Sequence, residues 1–200
     1  MPALSPLRRR LCRVSLLVFL GDSTRLRREV ASSLRDGVPA ETVREAILQN
    51  YLFAGFPRCI NALGVLADLA PLPSRAPVRR DLASWQTRGE LLCRRVYGRT
   101  YDKMISTMRR LHPDLADWIL WEGYGKVLSR PLLDAATREL CVIPVLAAAG
   151  TIPQLRSHLV GARNCGATAA EVREALSMGL RALPAKEAAT ARRLIGGAAC

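Results

Sequence analysis

Two histidines are the residues of this chain best suited to move a proton near neutral pH, because an imidazole ordinarily titrates there. His158 is the candidate for a general acid, and a partly buried histidine without a catalytic role is the alternative. His112 stands before Pro113 at the predicted end of a helix, so a structural role is expected for it. The sequence therefore offers one candidate proton donor, His158.

Glu139 is a carboxylate that could act with His158, by orienting the imidazole or by polarising a water. Glu139 lies twelve residues before the predicted turn at Thr151, and His158 lies seven residues after it. At a rise of 1.5 Å per residue, the two would be offset by roughly 7 Å along antiparallel helices. We therefore expect a water or a substrate between them and no direct hydrogen bond. An exposed helix charge is the alternative for Glu139.

Six cysteines are scattered along the chain, and none of them forms a C-x-x-C pair or a spacing typical of a metal site. Isolated cysteines are typical of buried side chains in a reducing compartment. Residues 8–20 resemble a short signal peptide, but charged residues follow them in place of a small-residue cleavage site. No run is predicted to be long enough to cross a bilayer. We therefore predict a cytoplasmic protein without a metal, a cofactor or a membrane partner.

The formal charge of +13 could indicate nucleic-acid binding, since a basic surface displaces counterions from phosphates. The excess consists of 27 Arg against 3 Lys, dispersed along the chain. No recognition motif accompanies it, and solvated helix faces explain it. No nucleic-acid partner is therefore predicted.

The chain contains an internal repeat. A shift of 129 residues aligns positions 11–46 with positions 140–175 at 12 identities in 36 positions. Glycines suited to helix ends follow the first two helices of each copy, and Thr168 with Glu171 forms a capping-box pattern. Three helices are therefore predicted for each copy. In the first copy they are Pro6 to Leu20, Ser23 to Arg35 and one that begins at Pro39. In the second copy they are Asp134 to Ala149, Pro153 to Asn164 and one that begins at Thr168.

The rest of the chain also predicts helices, since Ala, Leu and Arg are abundant and only 5% of residues are aromatic. Phe56–Pro57 is predicted to break a helix before another at Cys59 to Leu69. Residues 70–83 contain three prolines and predict an exposed linker. Residues 84–133 predict two or three helices, including Tyr101 to Leu111 and Leu115 to Leu128. An all-α protein is expected, with an N-terminal unit in residues 1–69 and a C-terminal unit in residues 84–200.

Several of these segments resemble the carboxymuconolactone decarboxylase family. The resemblance implies an all-α fold of two pseudo-repeated helical units similar to alkyl hydroperoxidase D. It also implies a homo-oligomer, and two fused units suggest a trimer. The residues that carry the resemblance are Gly125 to Asp134 (GKVLSRPLLD), Thr137 to Leu140, Leu155 to Ala162, Asn164 to Gly166 and Glu171 to Glu174, with Glu45–Ala46, Ala54 to Pro57 and Asn61–Ala62 in the first copy.

The wider superfamily includes thiol peroxidases similar to alkyl hydroperoxidase D, whose motif is a glutamate, two cysteines and a histidine. Both cysteine positions lack a thiol in this chain, so peroxidase chemistry is not expected. The resemblance implies that the replacements, Thr151 and Gln154, bind substrate beside His158. The motif falls on Glu139, Thr151, Gln154 and His158 in the second copy, and on Arg10, Asp22, Arg25 and Glu29 in the first.

Arg130 and Arg156 could hold a substrate carboxylate by bidentate hydrogen bonds. The alternative for Arg130 is a contact that stabilises its Ser–Arg–Pro turn. Arg156 has a counterpart in Arg27, which favours a shared structural role. Tyr124 and Trp121 are predicted to line the pocket or an interface, although aromatic residues at helical spacing often belong to a core.

A cofactor-free decarboxylation needs a donor near the developing enolate and an acid that protonates carbon. The resemblance implies a decarboxylase of this kind, or a related lyase or isomerase. Its expected substrate is a small carboxylated lactone or keto acid, with His158 as proton donor. The alternative is a non-catalytic helical scaffold or a module that binds a small acid.

Overall fold

The computed structural model describes residues 3–71 and 81–196, and every regular element in these ranges is helical. The predicted all-α fold class is confirmed. The helices are α1 (Pro6–Leu20), α2 (Ser23–Arg35), α3 (Ala40–Gln49), α4 (Tyr51–Leu69), α5 (Leu82–Tyr97), α6 (Tyr101–Leu111), α7 (Leu115–Trp118) with its direct continuation, the π segment (Ile119–Leu128), α8 (Ala135–Ala149), α9 (Ile152–Asn164), α10 (Ala169–Leu180) and α11 (Ala185–Ile195).

The helix ends of the repeat follow local sequence signals. α1 and α8 each end at a glycine in the left-handed region, Gly21 at φ 71° and Gly150 at φ 68°, which other residues adopt only with strain. α10 begins with the predicted capping box. In it, the Thr168 N–H donates to the Glu171 carboxylate at 2.9 Å and the Glu171 N–H donates to the Thr168 hydroxyl at 3.2 Å. Short-range signals therefore account for these boundaries.

The two copies of the repeat pack against each other through α1 and α8, and equivalent residues meet across the contact. Arg8 Nε donates to Thr137 Oγ1 at 3.0 Å, and the thiols of Cys12 and Cys141 meet. Each of these pairs is separated by the 129-residue repeat interval. A pseudo-twofold axis therefore runs between α1 and α8. One hydrophobic core draws side chains from both copies, so the repeat packs like a dimer within one chain.

The same pseudo-symmetry relates two ion pairs. Arg9 Nε lies 2.6 Å from Glu174 Oε1, and the equivalent pair, Arg138 Nη2 and Glu45 Oε2, is 3.2 Å apart. The Arg138 side chain is 1% exposed and the Arg9 side chain is 20% exposed. Arg138 also donates to Gln49 Oε1 at 3.1 Å, so the second pair belongs to a buried network. The two pairs differ mainly in their access to water.

Arg138→Met is expected to lower the free energy of unfolding by about 3–5 kcal/mol, because it removes a buried donor from Glu45 and Gln49. Arg9→Met is the matched control, and a loss of about 1 kcal/mol is expected because water can replace the donor there. Chemical denaturation followed by circular dichroism measures both losses. Equal losses would contradict the assignment of Arg138 to a buried network.

α4 differs from its prediction in the position of its break. The backbone leaves helical geometry at Gly55, whose φ is 79°, and not at Phe56–Pro57 as predicted. Glycine adopts a positive φ at little cost, so the chain turns one residue before the predicted break. The helix then continues to Leu69.

α4 is also long and apolar enough to cross a membrane by length and composition. This finding contradicts the prediction that no run is long enough. Length and composition are weak grounds for a membrane span, because a core helix passes the same test. In this helix 17% of the apolar window is buried within the protein, and the kink at Gly55 interrupts the helix.

The predicted linker, residues 70–83, lies largely outside the described residues. α5 begins at Leu82, so the last two residues assigned to the linker are helical. Asp81 caps this helix by accepting a hydrogen bond from the Ala83 N–H at 3.2 Å. The limits of the two predicted units, 1–69 and 84–200, remain a prediction.

α5 and the π segment touch through their backbones at two glycines. A Cβ atom on Gly89 would lie 2.0 Å from the carbonyl oxygen of Leu120, and one on Gly125 would lie 2.0 Å from that of Trp85. A π-helical turn is wider than an α-helical turn and is frequent at functional sites. This contact holds Tyr124, the neighbour of Gly125, at the edge of the cavity described next.

Candidate active site

A buried histidine–carboxylate pair joins α8 and α9. His158 Nδ1 lies 2.7 Å from Glu139 Oε2, and the two residues are 7% and 2% exposed. The prediction of no direct hydrogen bond between them is therefore wrong. The axial offset between the two backbones is spanned by the long glutamate side chain and the imidazole ring together. Glu139 is also buried, which excludes the alternative of an exposed helix charge.

Gly161 makes room for this pair. A Cβ atom at Gly161 would lie 2.9 Å from Glu139 Oε2 and 2.6 Å from a methyl carbon of Val96. The carboxylate thus lies against α9 one helical turn beyond His158. The sequence analysis missed Gly161, although a lone glycine inside a helical pattern is a signal for close packing.

The carboxylate also sets the tautomer of His158. Because ionised Glu139 can only accept, the imidazole donates from Nδ1 and keeps Nε2 for another partner. Phe53 packs edge-on against the ring, with 6.2 Å between the centroids. The hydrogen bond to Glu139 therefore occupies Nδ1 and leaves the chemistry of the ring to Nε2.

A cavity of about 550 Å³ has His158 in its wall. This volume lies within the usual range for small-molecule sites. Residues from α4, α5, α7, the π segment and α9 contribute, so the cavity is built from both halves of the chain. Its lining residues are Tyr51, Leu52, Phe53, Phe56, Tyr97, Leu115, Trp118, Ile119, Glu122, Gly123, Tyr124, Leu128, Gln154 and His158.

Two phenols of the cavity are neutral hydrogen-bond donors. Burial raises the pKa of Tyr97 to about 12 and that of Tyr124 well above its ordinary value. Their rings pack edge to face with 6.2 Å between the centroids. A neutral phenol can donate to a carbonyl or an enolate oxygen. Tyr124 was predicted at the pocket, and Tyr97 was missed.

Of the residues predicted to bind substrate, Gln154 and Tyr124 line the cavity with His158, and Thr151 does not. The Thr151 hydroxyl is hydrogen-bonded to the Leu146 carbonyl oxygen at 3.3 Å, at the turn between α8 and α9. Gln154 lies one turn before His158 on the same face of α9, so helical spacing brings these two together.

The two arginines predicted to bind substrate lie outside the cavity lining. Arg130 makes a bidentate ion pair with Glu45, at 2.9 and 2.7 Å, which corresponds to its structural alternative. Burial is the largest single influence and opposes the charged form of Glu45, but the hydrogen bonds and positive charges of Arg130 and Arg138 together outweigh it and lower the pKa of this carboxyl. Arg156 donates to the Leu194 carbonyl oxygen at the protein surface. Trp121 lies in an adjoining groove with Trp118.

The first copy of the repeat holds an ion pair where the second holds His158 and Glu139. Arg10 and Glu29 are the equivalent residues, and their side chains are 3.3 Å apart. A basic side chain and an acidic side chain thus face each other in both copies, but the first copy has no imidazole. A histidine that could transfer a proton therefore occupies this site in the second copy and not in the first.

The cysteines of the described residues are buried. Burial raises the pKa of Cys93 to about 12 and that of Cys165 to about 11, so neither is a ready thiolate nucleophile. Cys200 lies outside the described residues. In the described part of the chain, no cluster of three or more His, Cys, Asp or Glu side chains could hold a metal ion.

Comparison with known proteins identifies the family of this chain. The family model described as "Carboxymuconolactone decarboxylase family" matches residues 113–194, which include the π segment and the helices of the Glu139–His158 pair. "Peroxisomal protein 2" of Schizosaccharomyces pombe is 33% identical over 143 residues, which cover 69% of this chain and 67% of that protein. "Peroxisomal protein 2" of Saccharomyces cerevisiae is 26% identical over 152 residues, which cover 62% of this chain and 54% of that protein. This chain belongs to the carboxymuconolactone decarboxylase family.

Proposed function

We propose that this protein is a cofactor-independent decarboxylase, or a related lyase or isomerase, with His158 as the proton donor. Its substrate is a small carboxylated lactone or keto acid. The observation that carries the proposal is the buried Glu139–His158 pair in the wall of a ligand-sized cavity. Such a pair supplies the general acid that the chemistry requires.

The reaction proceeds in two steps. The bond between the α-carbon and the carboxylate breaks, carbon dioxide leaves, and the electron pair enters the neighbouring carbonyl to form an enolate. The protonated His158 then donates its Nε2 proton to that carbon, and the neutral ring takes another proton from solvent. Glu139 accepts the hydrogen bond from Nδ1 and holds the ring in one orientation, so it is a positioning residue.

The enolate oxygen requires hydrogen-bond donors. Tyr124 and Tyr97 are neutral phenols at the cavity, and Gln154 adds an amide on the helix of His158. Donors that face a developing charge away from bulk water stabilise it without reorganising. We propose that these donors form the oxyanion site beside the acid.

A non-catalytic scaffold or a small-acid binding module is the second candidate. It is favoured by the Arg10–Glu29 pair, because opposite charges occupy the equivalent positions of the first copy without an imidazole. The direct test is carbon dioxide release from a panel of carboxylated lactones and β-keto acids, carboxymuconolactone included. Release that depends on His158 supports the decarboxylase, whereas binding without release of carbon dioxide or isomerisation supports the binding module.

The cellular location and the assembly are separate proposals. The buried cysteines suit a reducing compartment, and the two relatives are named as peroxisomal proteins. We keep the cytoplasm as the proposed location, and imaging of a fluorescent fusion beside cytosolic and peroxisomal markers decides it. We also keep the homotrimer, which light scattering of the purified protein tests.

A further inference from the structure

A groove of about 330 Å³ lies between α10 and α11. This volume is near the lower end of the range for small-molecule sites. Among the described residues, the α10–α11 groove shares no lining residue with the cavity around His158. Aliphatic side chains form its apolar part, and two arginines and a serine border them. The lining residues are Arg173, Leu176, Ser177 and Leu180 of α10, with Arg192, Ile195 and Gly196 in α11 and at its end.

α11 is the counterpart of the second half of α4. The interval of 129 residues that relates the two copies places Ala185 on Phe56 and Ile195 on Leu66. The same positions are buried in both helices, so the α10–α11 groove corresponds to the contact between α3 and α4. The buried residues are Ala188, Ala191 and Ile195 in α11, and Cys59, Ala62 and Leu66 in α4.

Apolar side chains occupy this contact in the first copy. Leu48 and Leu63 stand at the positions that Ser177 and Arg192 hold in the second copy. Leu63 packs against a hydrophobic cluster that contains the fully buried Leu66. The second copy has a small side chain and a charged side chain in place of the two leucines. This difference accounts for the opening of the groove, because neither replacement fills an apolar space.

The two arginines of the groove lack an acidic partner. In the first copy, Arg44 Nη2 lies 3.2 Å from Glu41 Oε1. The counterparts of these residues are Arg173 and Ala170, so the second copy keeps the arginine and lacks the carboxylate. In the part of the chain that the structure describes, neither Arg173 nor Arg192 forms an ion pair. Two guanidinium groups are therefore available to the acid group of a ligand.

We propose that the α10–α11 groove is a second ligand site, which binds a small anion with one acid group and an apolar chain. The acid group lies at Arg173 and Arg192, and the chain lies against the aliphatic side chains, where the first copy has leucines. Both arginines are exposed, so water weakens the ion pair and burial of the chain contributes the rest of the affinity. This inference is independent of the chemistry proposed for His158.

The first test uses octanoate and octanamide, which have the same chain and differ in the charge of the head group. In isothermal titration calorimetry, octanoate is expected to bind the wild-type protein about fivefold more tightly than octanamide, because it gains two charge-assisted contacts. The double variant Arg173→Gln with Arg192→Gln should bring the two affinities close to each other. Equal affinities in the wild-type protein would overturn the inference, as would the absence of saturable octanoate binding.

A second variant tests the place of the chain. Ser177→Leu introduces the residue of the first copy and fills the groove, so the affinity for octanoate should fall by about tenfold or more. Arg193→Gln is the matched control, because Arg193 lies on α11 beside Arg192 and does not line the groove. An unchanged affinity in Ser177→Leu, or an equal loss in Arg193→Gln, would place the binding elsewhere and overturn the inference.

Light scattering distinguishes a small ligand from a second copy of the chain. The wild-type protein, Ser177→Leu and the double arginine variant are expected to have the same oligomeric state. A change of this state in either variant would show that the groove is an interface between copies, which would overturn the inference. The double variant replaces exposed side chains only, so its fold is expected to persist even where Ser177→Leu disturbs packing.

Discussion

His158→Ala should lower the rate of carbon dioxide release by about 100-fold to 10,000-fold, the usual contribution of a positioned general acid. The variant removes the ring nitrogen that protonates the carbanionic carbon, and no other imidazole lines the cavity among the described residues. The measurement is release from the best substrate of the panel, at saturating concentration. Circular dichroism shows whether the variant, which leaves a small void beside Phe53, remains folded.

The chain offers a control for this experiment. His112→Ala removes the other histidine, whose side chain is 58% exposed and lies near Asp114, and wild-type release is expected. Glu139→Gln should lower the rate less than His158→Ala, because the ring remains but loses its charged acceptor. Wild-type release from folded His158→Ala would end the assignment of this histidine as the proton donor.

Gly125→Ala is expected to lower the free energy of unfolding by about 3 kcal/mol or more, near the upper end for an overpacked site. The added methyl group would meet the carbonyl oxygen of Trp85 at 2.0 Å and its carbonyl carbon at 2.7 Å. Both contacts are with backbone, so α5 and the π segment must move apart. In a chain of this size, such a loss lowers the melting temperature by roughly 6–12 °C.

Gly123→Ala is the matched control, two residues earlier in the same π segment. A Cβ atom at Gly123 meets nothing within 4 Å, so a change of less than about 1 kcal/mol is expected. Thermal unfolding followed by circular dichroism compares the two variants. Similar melting temperatures would show that the close backbone contact between α5 and the π segment does not form.

Much of the helical framework could be predicted, because its signals act within one or two turns. The bounds of α1, α2 and α6 match the predicted ones, and the Thr168–Glu171 capping box was recognised from residue types three positions apart. It was harder to predict whether a proline or a neighbouring glycine breaks a helix. At the α4 break the glycine, not the proline, carries the unusual backbone angle.

The repeat was visible as identities in the sequence, but the way in which its two copies pack was not. A sequence shift shows that two segments resemble each other and leaves open how they pack. The structure brings Cys12 to Cys141 and Arg8 to Thr137, so equivalent positions meet about a pseudo-twofold axis. The same pseudo-symmetry relates the Arg138–Glu45 pair to the Arg9–Glu174 pair, and the sequence analysis did not single out the buried Arg138.

The geometry of the site was not predictable from the sequence, and its chemistry stays a prediction. Residue types and family resemblance indicate His158 as the proton donor and argue against a dithiol peroxidase, because both inferences depend only on which side chains are present. The direct bond to Glu139 and the separation of Arg130 from the cavity depend on how helices distant in the chain cross. Contacts of this kind are decided by packing volume, here by the missing side chain of Gly161, and only the folded chain brings those atoms together.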